Sequence, residues 1–168
     1  MKLSIVTLFC FLVGFSFCQE EAEKNMKKLP SVVLKDLKGK SVNTSEMGFE
    51  GPVVISFWAT WCGPCIKELE AINEVYEDWQ TEYNVDLIAV SIDDSRNSKK
   101  VKPKVLGLGW DYTVLLDENS DLARAMNVVN PPMLFVINQR GEVVYTHAGY
   151  SPGSEDELEE KLEELTTE

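Results

Sequence analysis

Two cysteines three positions apart, in the stretch Trp61-Cys62-Gly63-Pro64-Cys65, are the residues with the clearest capacity for chemistry. Such a pair can serve as a staple, as half of a metal site or as a redox reagent. As a staple it is weak. A bond between them closes so short a loop that the chain-entropy gain is only about 2 kcal/mol, well below that of a long-range bridge. As a metal site it is short of ligands. A structural zinc takes four, and beyond residue 18 the chain offers these two cysteines, a single histidine (His147) and no second Cys-x-x-C. No metal and no cofactor is expected. The redox reading needs a sulfur with a lowered pKa, which a helix N-terminus supplies through its unpaired N–H groups and its dipole. Pro64 suits a first helical turn, where its missing N–H costs nothing. Gly63 leaves room for an approaching chain. Two intervening residues bring both sulfurs to one face, with Cys62 exposed at the first turn and Cys65 more buried one turn further in.

The elements around the pair match that requirement. Residues 52–60 (PVVISFWAT) form a continuous apolar run of the kind found in a strand buried on both faces. After the cysteines the period becomes helical. Leu69, Ile72, Tyr76 and Trp79 form a stripe that Ile66 and Val75 widen, so a helix begins near Cys62. Residues 32–34 and 40–42 flank Lys38-Gly39 as a hairpin. Residues 85–92 read as a second buried strand, followed by a lysine-rich helical segment interrupted by Pro103. A strand at 112–116, a short helix at 120–126 and a strand pair at 133–137 and 143–146 complete the series. The last helix is announced by Ser154 and Glu157, a capping box, and by Leu158, Leu162 and Leu165. Strands alternating with helices and ending in an antiparallel pair indicate a three-layer α/β domain over residues 30–168.

The bulk properties exclude some functions and suggest a compartment. The 168 residues carry a net charge of −12, with 44% hydrophobic and 26% charged side chains. That is ordinary for a soluble domain, and too acidic for a nucleic-acid partner. The acidic run at 155–164 reads as a solvated helix face. Lys2 followed by the apolar run 3–17, Ser16 and Cys18 as small residues, and the polar 19–21 read as a signal peptide cut between Cys18 and Gln19. Residues 19–29 are then a flexible lead-in. Acylation of Cys18 is the rival reading, and it conflicts with the bulky Phe17. Cleavage would remove Cys10 and Cys18 and leave Cys62 and Cys65 as the mature protein's only cysteines, in an oxidising compartment.

The segment 57–65 (FWATWCGPC) after an apolar strand resembles the active site of thioredoxin-fold proteins. The preceding hairpin, residues 90–95 (VSIDDS) and residues 131–144 (PPMLFVINQRGEVV) resemble the exported TlpA/ResA-like branch in particular. The resemblance implies a central mixed β-sheet flanked by helices, with an N-terminal β-hairpin and a TlpA-type insertion. It implies Cys62 as nucleophile, Cys65 as resolving thiol and Pro132 as a cis-proline facing them. It also implies Glu68 as a carboxylate that tunes the thiols, against the alternative of a solvated helix residue. Trp61, Gly63, Pro64, Pro131 and Pro132 fall on its substrate-binding positions, with Trp58 and Trp61 divided between core and rim. Ser56 stands where many thioredoxins carry a buried aspartate, so a proton relay has to use Glu68 or water. Glu70 replaces a helix-kinking proline, which predicts a straighter helix. Pro131 lacks the N–H with which the family pairs substrate. His147 reads as a surface residue near the site, and Met133 is ambiguous between core and contact surface.

The expected function is an exported or periplasmic thiol-disulfide oxidoreductase, a monomer that reduces protein disulfides and is itself reduced by a membrane thiol carrier. A thiol peroxidase is an alternative weakened by Ala59 at the position where the fold's peroxidases keep a threonine. A binding module with an inert disulfide is the other.

Overall fold

The computed structural model describes residues 27–166. The expected signal peptide (1–18) and most of the expected lead-in (19–29) lie outside the described residues. Within them the strands β1 (Val33–Asp36), β2 (Ser41–Asn43), β3 (Val53–Trp58), β4 (Asp86–Ser91), β5 (Thr113–Leu116), β6 (Met133–Ile137) and β7 (Val143–Ala148) form one mixed sheet in the order β2-β1-β5-β4-β3-β6-β7. The hairpin of β1 (Val33–Asp36) and β2 (Ser41–Asn43) turns at Lys38-Gly39, where Gly39 takes a φ of 85°. The Asp36 carboxylate accepts from the N–H groups of Lys38 and Lys40, which closes the turn. That hairpin packs onto β5 (Thr113–Leu116) and thus extends the sheet on its far side from the cysteines' strand.

Strand β3 (Val53–Trp58) is the centre of the sheet and is buried at every residue. It pairs in parallel with β4 (Asp86–Ser91) and antiparallel with β6 (Met133–Ile137). Burial on both faces explains the unbroken apolar run. The even residues Val54 and Trp58 face one core with Leu87, Leu134 and Val136, and the odd residues Val53, Ile55 and Phe57 face the other. Helix α1 (Gly63–Tyr83) covers the first face together with α2 (Val101–Leu108) and α4 (Ser154–Thr166). The short α3 (Asp121–Ala125) covers the second with Leu122, Ala123 and Met126. Three layers result, as expected for this pattern.

Helix α1 is a single uninterrupted helix of 21 residues, in keeping with Glu70 in place of a proline. It ends at Asn84 in the left-handed conformation (φ 51°), whose N–H donates to the Gln80 carbonyl. Its buried stripe is Cys65, Glu68, Leu69, Ile72, Tyr76 and Trp79. The lysine-rich segment begins with a 3-10 turn (Ser98–Lys100) and continues as α2, with Pro103 inside its first turn, where a missing N–H breaks no bond.

One local expectation is corrected. The capping box of Ser154 and Glu157 does not form. The Ser154 hydroxyl turns back and donates to the Ser151 carbonyl at 2.7 Å, and the Glu157 carboxylate accepts from Tyr145 Oη at 2.9 Å. Strand β7 (Val143–Ala148) offers Glu157 a hydroxyl donor, and the carboxylate takes it instead of reaching the start of its own helix.

Candidate active site

Cys62 is the N-cap of α1, with extended backbone (φ −91°, ψ 95°), and Pro64 lies in the first turn behind it. Its Sγ accepts from the Cys65 N–H at 3.3 Å, so one of the helix's unpaired donors is already aimed at this sulfur. Cys62 and Cys65 form a disulfide with their Cα atoms 5.3 Å apart. After reduction the same N–H is placed to donate to a Cys62 thiolate, a charge-assisted bond stronger than a neutral one. Cys62 keeps 6% of its surface exposed and Cys65 none. The expected order therefore holds, but Cys62 is less open than the sequence suggests.

The loop that delivers Cys62 to the helix is tied to the end of β4. Asp93 is buried, and its carboxylate accepts from Thr60 N–H at 2.8 Å, Thr60 Oγ1 at 2.6 Å and Ser91 Oγ at 2.9 Å. Two of these bonds fix the residue that precedes Trp61-Cys62. Asp93 lies in the 90–95 stretch, where local pattern gives it no role. A buried carboxylate is affordable only when its oxygens are satisfied, and here both are. Replacing Asp93 with alanine is expected to destabilise the protein by about 2 kcal/mol, because Thr60 loses its acceptors inside the protein. Asparagine, which retains one acceptor oxygen, should cost less. Urea unfolding of the oxidised variants checks the order, and equal stability of Asp93→Ala and wild type would remove the loop-anchor account.

Glu68 is 3% exposed and sits in the core stripe of α1, one turn after Cys65. Ser56 Oγ, from the middle of β3, donates to its Oε2 at 2.7 Å. Burial pushes the Glu68 pKa up to about 7, and the Ser56 hydrogen bond only partly opposes this. The solvated-face alternative is thereby corrected. The serine that replaces the usual buried aspartate points from the strand to the helix carboxyl, so this departure and the matching carboxyl at Glu68 form one unit. A signal for this was present, since Glu68 falls in register with Cys65, Leu69 and Ile72.

The remaining predicted positions gather at one end of the sheet. Met133 pairs with Phe57, so Pro132 is level with the end of β3 from which the cysteine loop departs. The Pro131–Pro132 bond is cis, as the resemblance implied, and Pro132 O accepts from Gly149 N–H at 2.9 Å. Pro132 is buried and Pro131 half-buried. Trp58 is a core residue stacked edge-on against Trp110, while Trp61 is 64% exposed beside exposed Gly63 and Pro64. Added bulk at Gly63 would meet no atom of the protein, so packing does not require a glycine there. Met133 is half-buried against the second core, which places it mainly as packing.

His147 is not a free surface residue. Its Nδ1 lies 3.2 Å from Tyr145 Oη, and both residues line a cleft that also contains Glu68. The hydrogen bond joins residues two apart on β7, but the cleft is completed by α1 and α4, which are distant in the chain, so local pattern did not show it.

A dithiol-disulfide at the N-terminus of a helix, on this mixed sheet, defines a thioredoxin-like thiol-disulfide oxidoreductase. The chain belongs to the AhpC/TSA family, whose model matches residues 26–146. The thiol-disulfide oxidoreductase ResA of Bacillus thuringiensis subsp. konkukian is 30% identical over 170 residues, covering 98% of this chain and 95% of that protein. ResA of Bacillus subtilis is 30% identical over 150 residues, covering 86% and 81%. Among solved structures, an uncharacterized thioredoxin-like protein from Porphyromonas gingivalis is 50% identical with a TM-score of 0.74, covering 85% of this chain and 95% of that one. A putative thiol:disulfide interchange protein DsbE from Chlorobium tepidum, 24% identical, shares the fold with a TM-score of 0.75 over 84% and 96%.

Proposed function

We propose that this enzyme is exported and reduces disulfides in protein substrates. The observation that carries the reading is the Cys65 N–H directed at Cys62 Sγ with a buried, weakly acidic carboxyl one turn behind. The Cys62 thiolate attacks one sulfur of a substrate disulfide, forming a mixed disulfide and releasing the other substrate sulfur as a thiolate that takes a proton from solvent. Cys65 then has to lose its proton, and the Glu68 carboxylate accepts it. The Cys65 thiolate attacks Cys62 Sγ, the second substrate sulfur leaves, and the Cys62–Cys65 disulfide remains. Trp61, Gly63, Pro64, Pro131 and Pro132 present the surface on which the substrate chain lies, with one backbone donor fewer because Pro131 has none.

Two features support reduction over oxidation. Gly63 and Pro64 add no positive charge or further donor beside Cys62, and Glu68 when ionised opposes a nearby thiolate. A couple of this kind shifts by about 30 mV for each 1.4 kcal/mol of differential stabilisation, so a single charge decides much of the direction. The enzyme, oxidised after each turnover, needs a two-electron donor, and a membrane thiol carrier fits an exported enzyme. Residues 3–17 and the polar 19–21 support cleavage at Cys18–Gln19, leaving a monomer with one dithiol. The peroxidase reading is disfavoured further, since the Thr60 hydroxyl is committed to Asp93.

The test uses protein recovered from outside the cytoplasm. Its intact mass should correspond to a chain starting at Gln19 with no lipid. Equilibrated with glutathione buffers, its dithiol should be more reducing than the glutathione couple. A potential on the oxidising side would turn the reading into that of an oxidase.

A further inference from the structure

A narrow cleft between the sheet edge and α4 is left over once the dithiol chemistry is assigned. Its walls are Ile72 of α1 and Leu134 of β6, and it is wide enough to seat about one water molecule. The titratable groups facing it come from every element packed there: Glu68 of α1, Tyr145 and His147 of β7, Tyr150 of the following loop and Glu155 of α4. Glu157 of α4 stands behind Tyr145, and Glu74 of α1 acts on Tyr150.

The hydrogen bonds fix the direction of the histidine. Tyr145 has one hydroxyl proton and donates it to the Glu157 carboxylate, which has none to give. Burial and that carboxylate push the Tyr145 pKa up to about 12, so the hydroxyl keeps its proton. Tyr145 Oη must therefore accept from His147 Nδ1–H. The neutral imidazole then has Nε2 free to take a proton. The rings lie nearly parallel with centroids 6.3 Å apart. A second polar group in the cleft is unfinished: the Glu155 Oε2 atom is buried without a hydrogen-bond partner, a position that a bridging water satisfies.

We propose that His147, oriented by Tyr145, carries off the proton that Glu68 takes from Cys65, through a water in this cleft. The inference rests on the reading of Glu68 given above. The Glu68 O–H gives its proton to the water, the water gives one to His147 Nε2, and the half-exposed imidazolium releases it to solvent. The carboxylate is restored and no electrons move. His147 acts through Glu68 and touches neither sulfur nor substrate.

The experiment follows reduction of a disulfide peptide by the purified, pre-reduced protein in single turnovers across the pH range on both sides of the Glu68 transition. His147→Ala is expected to slow the step near neutral pH about tenfold, less than the loss of a group at the reacting atoms. Millimolar imidazole should restore most of the rate, and Tyr145→Phe should slow it about threefold. In a Glu68→Gln background, His147→Ala should add nothing. If Glu68→Gln changes the pH profile while His147→Ala neither slows the step nor responds to imidazole, the histidine route is wrong and the role of Glu68 stands. A loss in His147→Ala that imidazole does not restore and that persists without Glu68 is structural, and also overturns the route. An unchanged profile in Glu68→Gln removes both.

Discussion

Cys62→Ser is expected to abolish disulfide reduction, by at least about a thousandfold against the dithiothreitol background, while Cys65→Ala should accumulate a covalent complex with its substrate. The two outcomes differ because the two sulfurs are placed differently. Cys62 caps the helix, keeps the only exposed surface of the pair and receives the Cys65 N–H. A serine hydroxyl at that position accepts the same bond but is a far poorer nucleophile at neutral pH. Cys65 is fully buried, so under the proposed mechanism a substrate reaches it only as a mixed disulfide on Cys62. Without it the mixed disulfide has no resolving thiol. Insulin turbidity reads the first variant and non-reducing electrophoresis with mass spectrometry reads the second. Covalent complexes captured by Cys62 through Cys65→Ala also identify the substrates. If Cys65→Ala captured nothing and Cys62→Ser captured partners instead, the assignment of nucleophile and resolving thiol would be reversed.

Glu68→Gln should stabilise the oxidised protein at pH 8 while slowing its chemistry. The sign follows from a raised acid. Below about pH 4.5 the carboxyl is protonated in both folded and unfolded chains and costs nothing. As pH rises, the unfolded chain ionises first, and stability falls until the folded carboxyl ionises near 7. Above that the full loss, about 3 kcal/mol, is present. Glutamine stays neutral throughout, and its amide oxygen can still accept from Ser56. The variant's advantage is therefore absent at pH 4 and complete at pH 8, where it should reach about 2–3 kcal/mol. Urea unfolding of the oxidised forms at the two pH values measures it. The rate of Cys62 alkylation in the reduced variant should lose its inflection near neutral pH. A stability difference independent of pH would mean that Glu68 ionises alike in the folded and unfolded chains, and that the fold does not hold a proton on it for Cys65.

Much of this architecture was legible because it rests on local patterns. The apolar run of β3, the stripe from Leu69 to Trp79 and the position of Pro64 each specify an element with little help from elsewhere. The dithiol was legible for the same reason, since a helix start is written in the residues that form it. What escaped were contacts whose partners lie far apart in the chain. Asp93 anchors Thr60 across 33 positions, and Tyr145 draws Glu157 away from its own helix cap across 12. Glu68 stands between these cases. Its register in the stripe marked it for burial, but the hydroxyl that receives it comes from β3, and only the pairing of strand and helix supplies it. His147 depended on three elements at once, so no single stretch of sequence described its surroundings.

The cysteine pair lies inside the larger hydrophobic core, among residues such as Trp58, Leu69 and Leu134, and not on a detachable loop. Oxidation state and folding free energy are consequently two legs of one thermodynamic cycle. Whatever the fold contributes to favour the disulfide over the dithiol, relative to the unfolded chain, appears equally as a lower potential and as extra stability of the oxidised form. If the enzyme is a reductant, its oxidised form is the one that tolerates more denaturant. Each additional 1.4 kcal/mol between the two unfolding curves corresponds to about 30 mV. Two denaturation experiments, one per redox state, thus read out the same quantity as a potentiometric titration.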